Sequence, residues 1–285
     1  MHLTTKWLKQ KLFRSLASGI VLSLIALKAQ AATIYVSPYT FSASAPGEFN
    51  GTVEKFDSAT LADLGTFTSG PGPQGLAFGP DGNLYINFLD GSTPDGASGF
   101  IAKFNSTTGE SLGRLPNNGP LNFPRGLTFG PDGNIYDAAR GLVQKFNPTT
   151  GQYLGNFALG GNPDSILSLA FGPDGNLYVS NFNNGNIEKY NGTTGTDLGS
   201  FINVGVSGGL TFGPDGNLYT ISNGAVEKYN GTIGVDLGSY ATFSSTSSFL
   251  AFSPTVVPEP SSVLGTLALG VLGAASFMLR RRKSA

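Results

Sequence analysis

The chain has 285 residues, among them 41 glycines, 17 prolines and no cysteine. The lack of cysteine excludes disulfides, thiolate metal sites and a cysteine nucleophile. Nine of the 17 basic residues lie in the two terminal segments, so eight remain to face all 18 acidic residues between Glu48 and Glu259. An acidic middle is the opposite of a nucleic-acid footprint and excludes that partner.

Residues 1–31 open with Lys6, Lys9, Lys11 and Arg14, continue with an apolar run from Leu16 to Leu27, and end in Ala29-Gln30-Ala31. A charged region, an apolar helix and a small-residue site make a secretory signal cleaved by signal peptidase after Ala31. Lys28, directly after so short a run, argues against a permanent anchor. Cleavage would remove the only histidine, His2, and the only tryptophan, Trp7.

The body, residues 32–254, begins with TIYVS (Thr33–Ser37). A loop with Tyr39, Phe41 and Phe49 follows, then TVEKFDSATLADLGTF (Thr52–Phe67). Next comes GLAFGPDGNLYI (Gly75–Ile86), which returns at Gly126–Asp137, Ser168–Val179 and Gly209–Thr220. Each copy places period-2 alternation on both sides of a Pro-Asp-Gly turn and predicts a β-hairpin. Proline presets φ, aspartate bonds its own backbone, and glycine takes the positive-φ position. The Thr52 segment recurs as Ala102–Leu115, Gln144–Phe157, Glu188–Phe201 and Glu227–Tyr240, with a turn around Asn-x-Thr-Thr-Gly. The repeat is therefore four strands long, with spacings of 51, 42 and 41 residues between Asp81, Asp132, Asp174 and Asp215.

Four strands per unit of this length predict propeller blades. Complete blades occupy about Gly75–Leu115, Gly126–Phe157, Ser168–Phe201 and Gly209–Tyr240. The N-terminal part holds only the second to fourth strands of a blade, and FLAFSP (Phe249–Pro254) matches the missing first strand. The fold expected is all-β, a five-bladed β-propeller closed by N- and C-terminal strands. The hairpin with its Asp-Gly-Asn turn, and Asn-Gly-Asn-Ile-Glu-Lys-Tyr at Asn184–Tyr190, resemble the NHL-type propeller repeat. Members of that family more often have six blades; the count here gives five.

Residues 255–285 follow, with Val-Pro-Glu-Pro-Ser-Ser, an uncharged run at 263–279 and Arg280-Arg281-Arg282-Lys283. The run predicts a short transmembrane helix with its basic flank in the cytoplasm. The three parts in this order resemble the PEP-CTERM domain of exported Gram-negative proteins. That resemblance implies recognition of Pro258, Glu259 and Pro260 by exosortase, a membrane protease that removes the helix. It also implies a surface or extracellular location, associated with polysaccharide matrix, after transient anchoring in the inner membrane.

The residues bearing on chemistry divide into turns and loops. One carboxylate per Gly-Pro-Asp-Gly-Asn turn falls short of the six to eight oxygens that calcium takes, so these read as structural turns with no metal or other cofactor. The repeat also resembles sugar-lactonase and streptogramin-lyase propellers. The lyases rely on histidine, which the processed chain lacks. A lactonase metal site would need carboxylates at the channel mouth, where Gln74, Arg125, Leu167, Gly208 and Ser248 stand instead. A metal-dependent, lactonase-like hydrolase using Asp137 and loop asparagines stays as the alternative, beside a purely structural matrix component. The preferred reading is a non-catalytic protein that binds a polysaccharide or protein ligand. In a four-stranded blade the second-to-third connections and the links between blades share one face, and here they vary while the other turns are uniform. Tyr39, Phe41, Phe49 and Phe88, taken as exposed, are expected there with Asp90, Arg125, Arg140, Asn181, Asn183 and Asn184.

Overall fold

The computed structural model describes residues 32–38, 50–89, 98–116, 121, 123–159, 165–205, 208–222, 224–242 and 247–254. Twenty strands cover them. The first three are β1 (Thr33–Pro38), β2 (Asn50–Asp57) and β3 (Asp63–Pro71). Blade 1 is β4 (Pro73–Phe78), β5 (Leu84–Leu89), β6 (Gly99–Phe104) and β7 (Ser111–Arg114). Blade 2 is β8 (Pro124–Phe129), β9 (Ile135–Ala139), β10 (Leu142–Phe146) and β11 (Tyr153–Leu159). Blade 3 is β12 (Ile166–Phe171), β13 (Leu177–Asn181), β14 (Asn186–Tyr190) and β15 (Asp197–Asn203). Blade 4 is β16 (Leu210–Phe212), β17 (Leu218–Ser222), β18 (Ala225–Tyr229) and β19 (Asp236–Thr242). The last strand, β20 (Ser247–Phe252), joins β1 antiparallel, so the fifth sheet runs β20-β1-β2-β3. The body is a five-bladed propeller closed by both ends of the repeat region. The expected signal and transmembrane helices lie outside the described residues, and no described helix is long and apolar enough to cross a membrane.

Closure is carried by aromatic rings as well as by hydrogen bonds. The tyrosine of each second strand meets, across the blade interface, the phenylalanine that ends the next blade's first strand. Tyr35 meets Phe78, Tyr85 meets Phe129, Tyr136 meets Phe171, Tyr178 meets Phe212 and Tyr219 meets Phe252, with centroids 4.8–5.3 Å apart. Interplanar angles of 59–71° avoid face-to-face repulsion between the rings. The alternation of Leu or Ile with Tyr at the start of each second strand forces this arrangement. The aliphatic residue turns to one neighbouring blade and tyrosine to the other, so one strand serves two interfaces. The first strands β4, β8, β12, β16 and β20 line a central channel of about 200 Å³.

The outermost strands end each sheet with a bulge at the Leu-Gly step. Gly65, Gly113, Gly155, Gly199 and Gly238 all have positive φ there, where a side chain would strain the backbone. A bulge twists an unpaired edge away from any second strand, one device by which propellers protect their rims.

The hairpin turns hold a polar network that explains why the sequence repeats so closely. In four blades a lysine of the third strand pairs with the turn aspartate: Lys103–Asp81, Lys145–Asp132, Lys189–Asp174 and Lys228–Asp215, at 2.6–2.9 Å. The blade's tyrosine hydroxyl donates to the same carboxylate at 3.0–3.1 Å. Burial pushes these carboxyls up, but the hydrogen bonds from lysine, asparagine and tyrosine outweigh it. The net result is about 2 for Asp81, Asp132 and Asp174, against an ordinary 3.8, and Asp215 is lowered as well. A carboxylate with a depressed pKa contributes stability that is whole above its unfolded value and is lost as pH falls through the folded one. The melting temperature should therefore hold above about pH 4.5 and fall steeply between about pH 4 and 2. Replacing Asp132 and Asp174 by asparagine should flatten that fall; an unchanged slope in thermal melts would assign it to other groups.

Candidate functional site

The networks above occupy one face of the disc. The opposite face carries the second-to-third strand turns and the links, and the best-built feature there is the turn of blade 3. Asn181 ends β13, and its Oδ1 accepts the Asn183 amide at 3.0 Å, while its carbonyl accepts from Gly185 at 2.9 Å. Asn184 Oδ1 accepts the Asn186 amide at 2.9 Å, and Asn203 Nδ2, from β15, donates to Asn186 Oδ1 and to the Asn184 carbonyl. The loop is thus fixed by its own asparagines. Fixing it this way leaves Phe182 53% exposed. Asn183 and Asn184 are exposed beside it, and the Asn183 side chain has no partner among the described residues. An exposed aromatic plate followed by exposed amides offers stacking together with hydrogen bonds.

Blade 2 adds a second feature on this face. Arg140 and Gly141 form the two-residue turn between β9 and β10, with φ of 48° and 75°. Such a mirror-type turn favours Asn-Gly, so arginine in the first position carries backbone strain. Its guanidinium lies 4.6 Å from the Phe123 ring centroid, and Phe123 itself has φ 51°.

The structure treats the expected residues unequally. Asn181, Asn183 and Asn184 come together in one turn. Arg140 is exposed on its own turn, and Arg125 is half-buried on β8. Tyr39, Phe41, Phe49 and Asp90 lie outside the described residues, as do Ala29, Ala31, Pro258, Glu259 and Pro260. Phe88 is corrected: it is 2% exposed, stacked on Phe100 at 5.1 Å, and belongs to the core. It follows Leu84 and Ile86 on the same face of β5, and that face is covered. Phe182 was missed, although the sequence carried a signal. A large ring within Asn-Phe-Asn-Asn-Gly sits in a turn, where no adjacent blade can cover it.

Among the described residues, no three His, Cys, Asp or Glu side chains gather where they could hold a metal. Asp137, the residue on which a hydrolase would depend, is fully buried between blades and out of reach of a substrate. Burial drives its carboxyl well above the ordinary range, and the Asn87 hydrogen bond offsets only part of this.

Comparison with solved structures finds a protein of unknown function from Bacteroides caccae, 14% identical, covering 78% of this chain and 99% of that one, with a TM-score of 0.49. A chain of a nidogen/laminin complex is 13% identical over 79% of this chain and 98% of its own, with a TM-score of 0.47. Virginiamycin B lyase from Staphylococcus aureus is 17% identical over 70% of this chain and 69% of its own, with a TM-score of 0.44. No curated protein matches the chain. At the C-terminal end the comparison is specific: residues 256–283 match the PEP-CTERM protein-sorting motif, which the chain therefore carries behind its five-bladed propeller.

Proposed function

We propose that this chain is an exported, non-catalytic propeller that binds extracellular polysaccharide through its link face. The proposed layout is a signal segment at 1–31, a binding body at 32–254 and a sorting tail at 255–285 with a membrane helix at 263–279. Exosortase would release the body at the surface of a Gram-negative bacterium. The sorting motif supports export and processing. The observation that carries the binding reading is the exposed Phe182 beside the exposed Asn183 and Asn184, in a turn braced by Asn203. Sugar rings present apolar C–H faces and equatorial hydroxyls, which such a plate and its amides complement.

Affinity electrophoresis of the purified protein through gels cast with neutral and acidic polysaccharides tests this reading. Phe182→Ala should weaken retardation roughly 5- to 30-fold, the equivalent of about 1–2 kcal/mol of stacking. Its melting temperature should stay within the small range typical of surface changes. Wild-type protein that no polysaccharide retards would favour a purely structural matrix role.

A further inference from the structure

The interface between blades 1 and 2 holds a polar group of three that neither the binding face nor the hairpin networks use. Asn87 and Asp137 are fully enclosed and Gln144 is 6% exposed. Asn87 Nδ2 donates to Asp137 Oδ1 at 2.6 Å. Gln144 stands directly opposite Asp137 in the β9–β10 register, which puts both side chains on the sheet face turned to blade 1. Around them the interface is apolar, with Ile101, Leu127, Ile135 and Phe146. Three oxygens are enclosed there with no hydrogen-bond donor: Asp137 Oδ2, Asn87 Oδ1 and Gln144 Oε1. Natural interiors rarely leave one such acceptor unmatched, and here three share one interface with a carboxylate.

What the group lacks is positive charge. A proton on Asp137 would serve Oδ2 and one amide oxygen, and would still leave an acceptor unmatched. A cation can take all three oxygens and the negative charge together. The ligands are oxygen only, which selects against the soft and borderline metals that prefer sulfur and imidazole. Magnesium holds its own waters too firmly for a nearly dry site. We propose that Asp137, Asn87 and Gln144 form a site for a hard cation, calcium or sodium, that joins blade 1 to blade 2. In so dry an interface the rest of its shell would have to come from main-chain carbonyls. The hairpin aspartates offer no equivalent, because lysine and tyrosine already occupy their carboxylates.

The test is thermal unfolding of the purified, chelator-treated protein in choline chloride at constant ionic strength, with calcium chloride or sodium chloride titrated in. One of the two should raise the melting temperature saturably, by about 3–6 °C at ten times its dissociation constant. Asp137→Asn, nearly the same in shape, should abolish the rise, and Gln144→Leu should weaken it. Asp174→Asn, in a hairpin turn, should keep it. Equilibrium dialysis of the wild-type protein with the active ion should find one bound per chain. If neither ion moves the wild-type melt, or Asp137→Asn responds as the wild type does, the site is refuted. A melt insensitive to both ions, with Asp137→Asn at least as stable as wild type, would identify a neutral carboxyl instead.

Discussion

A chain ending at Ser244 is expected to aggregate or to lose its cooperative melt, whereas one ending at Pro254 keeps both. The segment removed is β20, and its loss breaks contacts on three sides. β1 loses its antiparallel partner along Ile34↔Phe252 to Ser37↔Phe249 and becomes an open edge. Leu250 leaves the core of the blade 4 interface, and the Phe252 ring is lost from its contacts with the Tyr219–Tyr240 pair. Phe249 and Ala251 leave the core beside blade 1. Each large buried side chain is worth about 2–5 kcal/mol. The sum approaches the whole stability of a folded domain, about 5–15 kcal/mol. Size-exclusion chromatography and thermal melts of the two chains decide the matter. A Ser244 chain that melts like the Pro254 chain would show that the ring does not need its last strand.

Gly75→Val should be the most damaging single substitution on the channel wall. A Cβ at Gly75 would fall closer to the Arg125 carbonyl and the Leu127 amide than any Cβ tolerates. Both are main-chain atoms of β8, so no rotamer change relieves the clash. In an open stack the blades could part slightly, but here each is held between two others and the displacement must pass around the ring. A cost of about 3 kcal/mol or more follows, at or above the usual range for overpacking. For a body of this size that lowers the melting temperature by roughly 6–12 °C. Blade 3 shows what the position allows where there is room: Ser168 stands there, and its Oγ accepts the Leu210 amide at 3.1 Å. A Gly75→Val protein with a wild-type melt would mean that the first strands are not in close contact.

Most of the architecture could be read from the residues. Strand alternation and Pro-Asp-Gly turns are local, and their repetition at nearly constant spacing left five blades and one displaced strand as the consistent count. The structure pairs β20 with β1 as that count requires. The role of the repeated lysines was less legible. Alternation puts them on third strands, but nothing local to them announces their ion pairs to the turn aspartates. The closing blade has no such aspartate, because the chain passes from Ser253 to Pro254 where the other blades turn. Lys55 lies 5.9 Å over the Phe67 ring instead, and Tyr35 donates to the Ser106 carbonyl at 3.2 Å.

The sequence by itself determined what short-range chemistry decides: strand period, turn type, repeat length, blade count, and a sorting tail whose signal is linear. Only the tertiary structure decided which side chains are covered, because covering is done by the neighbouring blade, tens of residues away. Phe88 and Phe182 are both rings near the ends of second strands, yet one is stacked in the core and the other open to solvent. Asn87 and Asp137 lie 50 residues apart, and nothing local to either announces the other. Their meeting depends on the two blades packing face to face, an arrangement fixed by the closed ring rather than by either strand.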